Sequence, residues 1–301
     1  YWRHWTGNKR AYNNMTITGD GTLDVSGSSY NRPVYSDAAN SSVTILSGNF
    51  ETIGTLYYTS TLSIKGGTWK IDPANATVAS STTGSRVAKG YMSVYNEGDD
   101  NYTVEIDPDA KVVAEYNGVE YYTFDEVLEA AIADEGDVAT IVLSGEDLGK
   151  SYTISNPGKK LIFDLDGKTL QPAEARRLFR FENGQFEIRN GKISVNGYIY
   201  VLDSTLVLDD VVFNGDPTDG NERSAVATSN GGVIYAKGSS ITLQDSCIKN
   251  CYDEASSGAI HLVRDGLELS VLVMNDSTII NCGAGVHGGA VSVGSNCYFI
   301  M

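Results

Sequence analysis

Short runs of alternating apolar and polar residues recur along this chain, and the runs themselves repeat. Residues 197–213 lie over residues 232–248 without a gap, at an offset of 35. The stretch Leu243-Gln-Asp-Ser-Cys-Ile-Lys-Asn-Cys251 recurs 31 residues on as Met274-Asn-Asp-Ser-Thr-Ile-Ile-Asn-Cys282, and residues 179–186 match 199–206 at an offset of 20. Periods in this range, with period-two strands and Gly/Asn/Asp/Ser punctuation, predict a solenoid whose coils carry insertions of varying length. The first strand of each coil sets the phase. Phe179 and Phe181, Ile199 and Val201, Ile234 and Ala236, Ile260 and Leu262, Val291 and Val293 occupy the two inward positions. The residue between each pair must then face outward.

Three early runs share the same logic: Met15–Leu23, Val43–Phe50 and Leu62–Trp69. Ile45 and Ile64, Gly48 and Gly67, Phe50 and Trp69 pair at an offset of 19, which predicts coils with glycine at the corner. Residues 72–90 read as a loop, and Tyr91–Ile106 as a polar strand pair turning around Asn96–Asp100. From Val112 the pattern changes to a hairpin turning at Asn117-Gly118. Thr123 and Glu126 then form a capping box for the one convincing helix, about Phe124 to Ala133. Its predicted apolar face is Phe124, Val127, Leu128, Ala131 and Ile132, and Gly136 is its stop. The strands Ala139–Leu143, Leu161–Leu165 and Phe179–Phe181 lead into the repeats. The expected fold is therefore all-β, with one short helix and a division near residue 110 into modules 1–110 and 111–301.

Several motifs carry a resemblance. Asp72-Pro, Val87-Ala-Lys-Gly-Tyr91, Val113-Ala-Glu-Tyr-Asn-Gly118, Thr123-Phe-Asp-Glu-Val-Leu-Glu-Ala-Ala131 and Asp164-Leu-Asp-Gly-Lys-Thr-Leu170 occur in an order that resembles repeat modules of large surface proteins from gut-dwelling Gram-positive bacteria. The closing Gly-Gly-Ala-Val and Asp-Ser-Thr-Ile-Ile-Asn-Cys patterns resemble the pectate-lyase-like right-handed parallel β-helix. The resemblance implies an extracellular, secreted or wall-attached protein. It implies no reaction, because this fold carries adhesins and enzymes alike.

Composition narrows the partners. The 301 residues carry 22 Lys and Arg against 38 Asp and Glu, a formal charge of −16. That balance argues against nucleic acid, whose phosphates call for clustered cations, and against docking on anionic lipid. No apolar run is long enough to insert in a bilayer. The chain begins without Met and ends on the apolar run Tyr298-Phe-Ile-Met301, so it is expected to be an excerpt of a longer protein with an open last coil. Four cysteines, all in the last third, are too few for a disulfide scaffold.

The most informative candidate surface is the outward column Arg180, Tyr200, Tyr235, His261, Ser292. Tyr198 lies on one side of it, and Glu182 and Lys237 on the other. Five stacked strands would give a file about 19 Å long. Tyrosine faces beside Arg, Lys and His donors suit an extended sugar chain, although Tyr is also common on outward strand positions for its β-propensity alone. The ligand-binding set is thus Arg180, Tyr198, Tyr200, Tyr235, Lys237 and His261.

Other groups read as structural. Asp209-Asp210 aligns with Gln244-Asp245 and Asn275-Asp276, which marks a corner, and Asp164 and Asp166 are turn residues. The insertion Gly215–Glu222 has oxygen ligands for Ca²⁺ but lacks the spacing of an EF-hand loop. Cys251 and Cys282 share a column as stacked thiols rather than a disulfide. Zinc spacing is absent, and His287 sits in a glycine-rich turn. Three functions fit: a non-catalytic surface protein that binds glycan or a host or cell-wall surface, or acts as a spacer; a polysaccharide lyase or glycoside hydrolase on the same face; and a self-assembling fibre or coat subunit. The strip offers only Glu182 as a carboxylate, which leaves either enzyme mechanism short of groups and no cofactor called for.

Overall fold

Turn chemistry and strand period together dictate most of the architecture. The computed structural model describes residues 14–23, 42–50, 61–74, 86–174, 176–194, 197–216, 224–225, 232–254 and 257–301. It divides into two compact units, Tyr1–Ala110 and Lys111–Met301. Both are built of β-strands, most of them in parallel sheets, and the helix Phe124–Ala133 lies in the second.

In the first unit, Asn14–Ile17, Ser42–Ile45 and Thr61–Ile64 pair in parallel, placing Ile17, Ile45 and Ile64 in one column. Asn49–Phe50 and Thr68–Trp69 also pair in parallel, and the Phe50 and Trp69 rings stack at 4.0 Å and 12°. Gly67 has φ +96°, and a Cβ there would meet the Gly48 carbonyl at 3.0 Å, so the glycine column fits both the turn and the close approach of its neighbour. Tyr91–Asn96 and Asn101–Ile106 form the expected antiparallel pair. Most of the expected loop at 72–90 lies outside the described residues; within it, Val87 bridges Ile64.

The second unit opens with the hairpin Ala114–Tyr116 and Val119–Tyr121, turning through Asn117 (φ 50°) and Gly118 (φ 76°), both in the left-handed region a tight hairpin needs. Thr123 Oγ1 accepts the Glu126 N–H and starts the helix. Phe124, Val127 and Ala131 are buried. Ile132, expected on that face, is exposed at 39%, because it lies at the margin of the stripe beside the fully buried Ala131, which makes the contact in this turn. The helix ends at Ala133, with Asp134 as its cap, before Gly136 is reached. Phe124 packs on Tyr152, Phe163 and Phe179, so the helix seals the start of the aromatic core.

Beyond it the repeats become register. Lys160–Asp164, Gln185–Ser194, Thr205–Asn214, Ser240–Gln244, Val271–Asn275 and Tyr298–Ile300 succeed one another in a twelve-stranded sheet. Tyr152–Ser155, Arg176–Glu182, Gly197–Leu202, Ile234–Lys237, Ile260–Val263 and Val291–Val293 form a six-stranded parallel sheet. Phe179 pairs with Ile199 at the offset of 20, Ile199 with Ile234 at 35, and Leu243 with Met274 at 31, as the repeats predicted. The inward columns hold from Phe179 and Phe181 through Ile260 and Leu262, all fully buried. On the edge strand Val291–Val293 the expectation fails. Val291 is only half-buried and Val293 is exposed, since among the described residues no further strand pairs beyond it. Each fully buried Val, Ile, Leu or Phe contributes about 1.5–3 kcal/mol.

Corners are held by side chains that bridge neighbouring strands. Asn190, Asp210, Asp245 and Asp276 share one column, all with φ between 46° and 55°. Asp and Asn tolerate this conformation best among non-glycine residues, which supports the structural reading of Asp209-Asp210. Ser204 N–H donates to Ser239 Oγ at 3.2 Å, and Ser239 N–H to Ser270 Oγ at 3.1 Å. Val211 N–H donates to Ser246 Oγ, and Ser246 N–H to Ser277 Oγ, both at 3.0 Å. Asn281 Nδ2 donates to Asn250 Oδ1 at 2.7 Å, and Asn250 Nδ2 to Asn214 Oδ1 at 3.0 Å. The serine columns satisfy backbone N–H groups that each bend would otherwise strand, while the asparagine column ties its side chains to one another.

Candidate functional site

The six-stranded sheet aligns the predicted outward residues. Thr153, Arg180, Tyr200, Tyr235, His261 and Ser292 are successive register partners, so the file is one strand longer than the sequence suggested. Aromatic rings run along it: Tyr198–Tyr200 centroids are 5.6 Å apart, Tyr200–Tyr235 5.2 Å and Tyr235–His261 5.6 Å, the last edge-on at 83°. Arg180, Tyr198, Tyr235, Lys237 and His261 are half-buried.

Tyr200 departs from its expected role. It lies on the file but is only 8% exposed, wedged between Tyr198 and Tyr235. The Arg177 guanidinium covers it at 5.3 Å from the ring centroid, a cation–π contact. Tyr200 is the packed centre of the row, and its face is not open to a ligand. Arg177 escaped sequence reasoning because the register shifts between Arg177 and Phe179, which breaks the alternation that would have placed it.

The cations on and beside the file are also engaged. Arg180 Nε donates to Glu182, which also accepts from Ser155 Oγ at 2.5 Å. Those two hydrogen bonds hold the Glu182 carboxyl below the ordinary glutamate range. Lys237 Nζ lies 3.0 Å from Asp265 Oδ1, and this hydrogen bond raises the lysine's pKa. Asp265 belongs to a tight turn closed by a bridge to Glu268, with Gly266 at φ 55°. Burial pushes the Tyr198 and Tyr235 hydroxyls up, so both remain protonated donors at neutral pH.

The remaining candidates are structural. Asp164 accepts from Arg189 Nε at 2.8 Å, from Asn190 and from the Asp166 N–H. Burial raises its pKa, but these bonds outweigh it and lower the net value. Cys251 and Cys282 stack in neighbouring positions, and all four cysteines are thiols. His287 is exposed in a bend. Residues 217–222 of the acidic insertion lie outside the described residues, and with them the Ca²⁺ reading of that loop. Among the described residues no three His, Cys, Asp or Glu side chains are grouped to hold a metal, and no helix is long and apolar enough to cross a membrane. The first unit has a shallow cavity of about 360 Å³, lined by Asp20, Asn49, Thr68 and Glu105 among others. No protein-family model, curated protein or solved structure matches the chain.

Proposed function

We propose that the second unit is a right-handed parallel β-helix that binds carbohydrate without transforming it, as part of an extracellular surface protein. The in-register succession of strands across two long parallel sheets supports the helical coil, and the strong preference of parallel crossovers supplies its hand. Extracellular presentation rests on the module resemblance. The observation that carries the binding role is the aromatic row of Tyr235 and His261 in one register column with Tyr198 beside it, all half-buried and fixed on sheet strands. Half-exposed ring faces take the CH-rich faces of sugars, while protonated tyrosine hydroxyls bond to sugar hydroxyls.

Catalysis is the weaker reading. Glu182, the carboxylate on the sheet strands beside the file, is held below the ordinary glutamate range by Ser155 and Arg180, whereas a general acid needs a raised pKa. The test is a glycan array probed with the wild-type chain and with Tyr198→Ala/Tyr235→Ala. The double variant should lose roughly tenfold or more in affinity, about 1.4 kcal/mol. Unchanged binding would remove the file as the site, and release of shortened glycan would replace a binding protein with an enzyme.

A further inference from the structure

The charges around the file decide which glycan it takes. By charge alone, Arg180 and Lys237 would attract an acidic sugar. The structure ties Arg180 to Glu182 and Lys237 to Asp265. Arg177 lies against the Tyr200 ring. Carboxylates crowd the same edge: Asp203 Oδ1 and the Cβ atoms of Asp265 and Glu268 all lie within 4 Å of where a Gly238 Cβ would sit. Glu182 and Asp265 thus each occupy a cation of the file, and Asp203 and Glu268 lie close to the Lys237 end, on a chain of net charge −16. An incoming polyanion would have to displace an internal partner and then meet uncompensated acid. It would gain little from cations that are already neutralised.

We infer that the aromatic file selects a neutral, extended glycan and that Glu182 and Asp265 exclude acidic ones. This rests on the carbohydrate-binding reading above and adds the substrate class. The two carboxylates act as built-in competitors. Each occupies the cation that a uronate or sulfate would otherwise use, while tyrosine faces and hydroxyls stay available to an uncharged pyranose chain. The side chains of Arg180 and Lys237 are 36% and 37% exposed, so both would be reachable once their partners lost charge.

Isothermal titration with cellohexaose and with hexagalacturonate, two six-sugar probes differing in charge, tests this at low ionic strength. Wild-type protein should bind cellohexaose roughly tenfold or more tightly than hexagalacturonate. Glu182→Gln/Asp265→Asn should raise hexagalacturonate affinity by about tenfold, an increment that high salt abolishes. Asp265→Asn alone, on an exposed turn, should give part of the gain and serves if the double variant folds poorly. Equal or tighter hexagalacturonate binding by the wild type, or no gain in the variants, overturns the exclusion while leaving carbohydrate binding intact. Binding of neither probe removes both the exclusion and the site.

Discussion

Asn250→Ala tests the corner columns where their demands converge. Asn250 is 1% exposed, has φ 60°, donates to Asn214 Oδ1 and accepts from Asn281 Nδ2. Truncation removes both of those side-chain bonds, each worth about 1 kcal/mol net. It also forces a residue with poor tolerance into the left-handed region, at about 1 kcal/mol. Asn214 Oδ1 keeps the Asp216 N–H as a donor, so one end of the column stays satisfied. The expected loss is about 3 kcal/mol. Asn250→Gly removes the same bonds but not through a strained backbone, and should be milder by about 1 kcal/mol. Urea unfolding followed by far-ultraviolet circular dichroism measures both variants against wild type. A loss below about 0.5 kcal/mol for the alanine variant, within the range of an ordinary surface change, would refute the column as a stabilising element. A glycine variant worse than alanine would refute the strain argument.

Two further predictions concern titrating groups. The Asp164 carboxyl is held below its ordinary value in the folded chain, so its contribution is complete above the unfolded aspartate pKa of about 4 and disappears as pH falls through the lower folded value. Asp164→Asn should flatten that part of the stability–pH curve in acid titration monitored by fluorescence; an unchanged acid limb would contradict it. The hydrogen bond with Cys282 and then burial push the Cys251 thiol well up. Native protein treated with iodoacetamide and mapped by mass spectrometry should alkylate Cys247, Cys282 and Cys297 well before Cys251, and early Cys251 labelling would mean that this corner opens.

Sequence legibility followed the length of the repeat unit. Where two repeats align without a gap, as at 197–213 and 232–248, the offset is the hydrogen-bond register itself, and the inward columns could be read directly. The Asn117-Gly118 turn and the Thr123 cap were legible because each is decided by its own few residues. Residues whose role depends on a neighbour from elsewhere were not. Arg177 lies behind a register shift, and Asp265 reaches Lys237 from a turn outside the aligned stretches of the repeats. Ser204, Ser239 and Ser270 aligned in the repeats but looked like ordinary turn punctuation. Their cross-strand bonds depend on hydroxyl placement that composition does not encode. Ile132 obeyed the helical period, yet the sheet beneath covers less than the whole apolar stripe.

The 35-residue offset also constrains how such a chain can change length. Excising residues 197–231 would set Ile234 on Phe179 and Ile241 on Phe186, apolar on apolar, while Ser239 would inherit the place of Ser204. Insertion of a copy would be equally conservative. Duplication or loss of a whole repeat is thus a far gentler edit than deleting a handful of residues from one strand, and a gene with such repeats can lengthen or shorten its product by recombination between them.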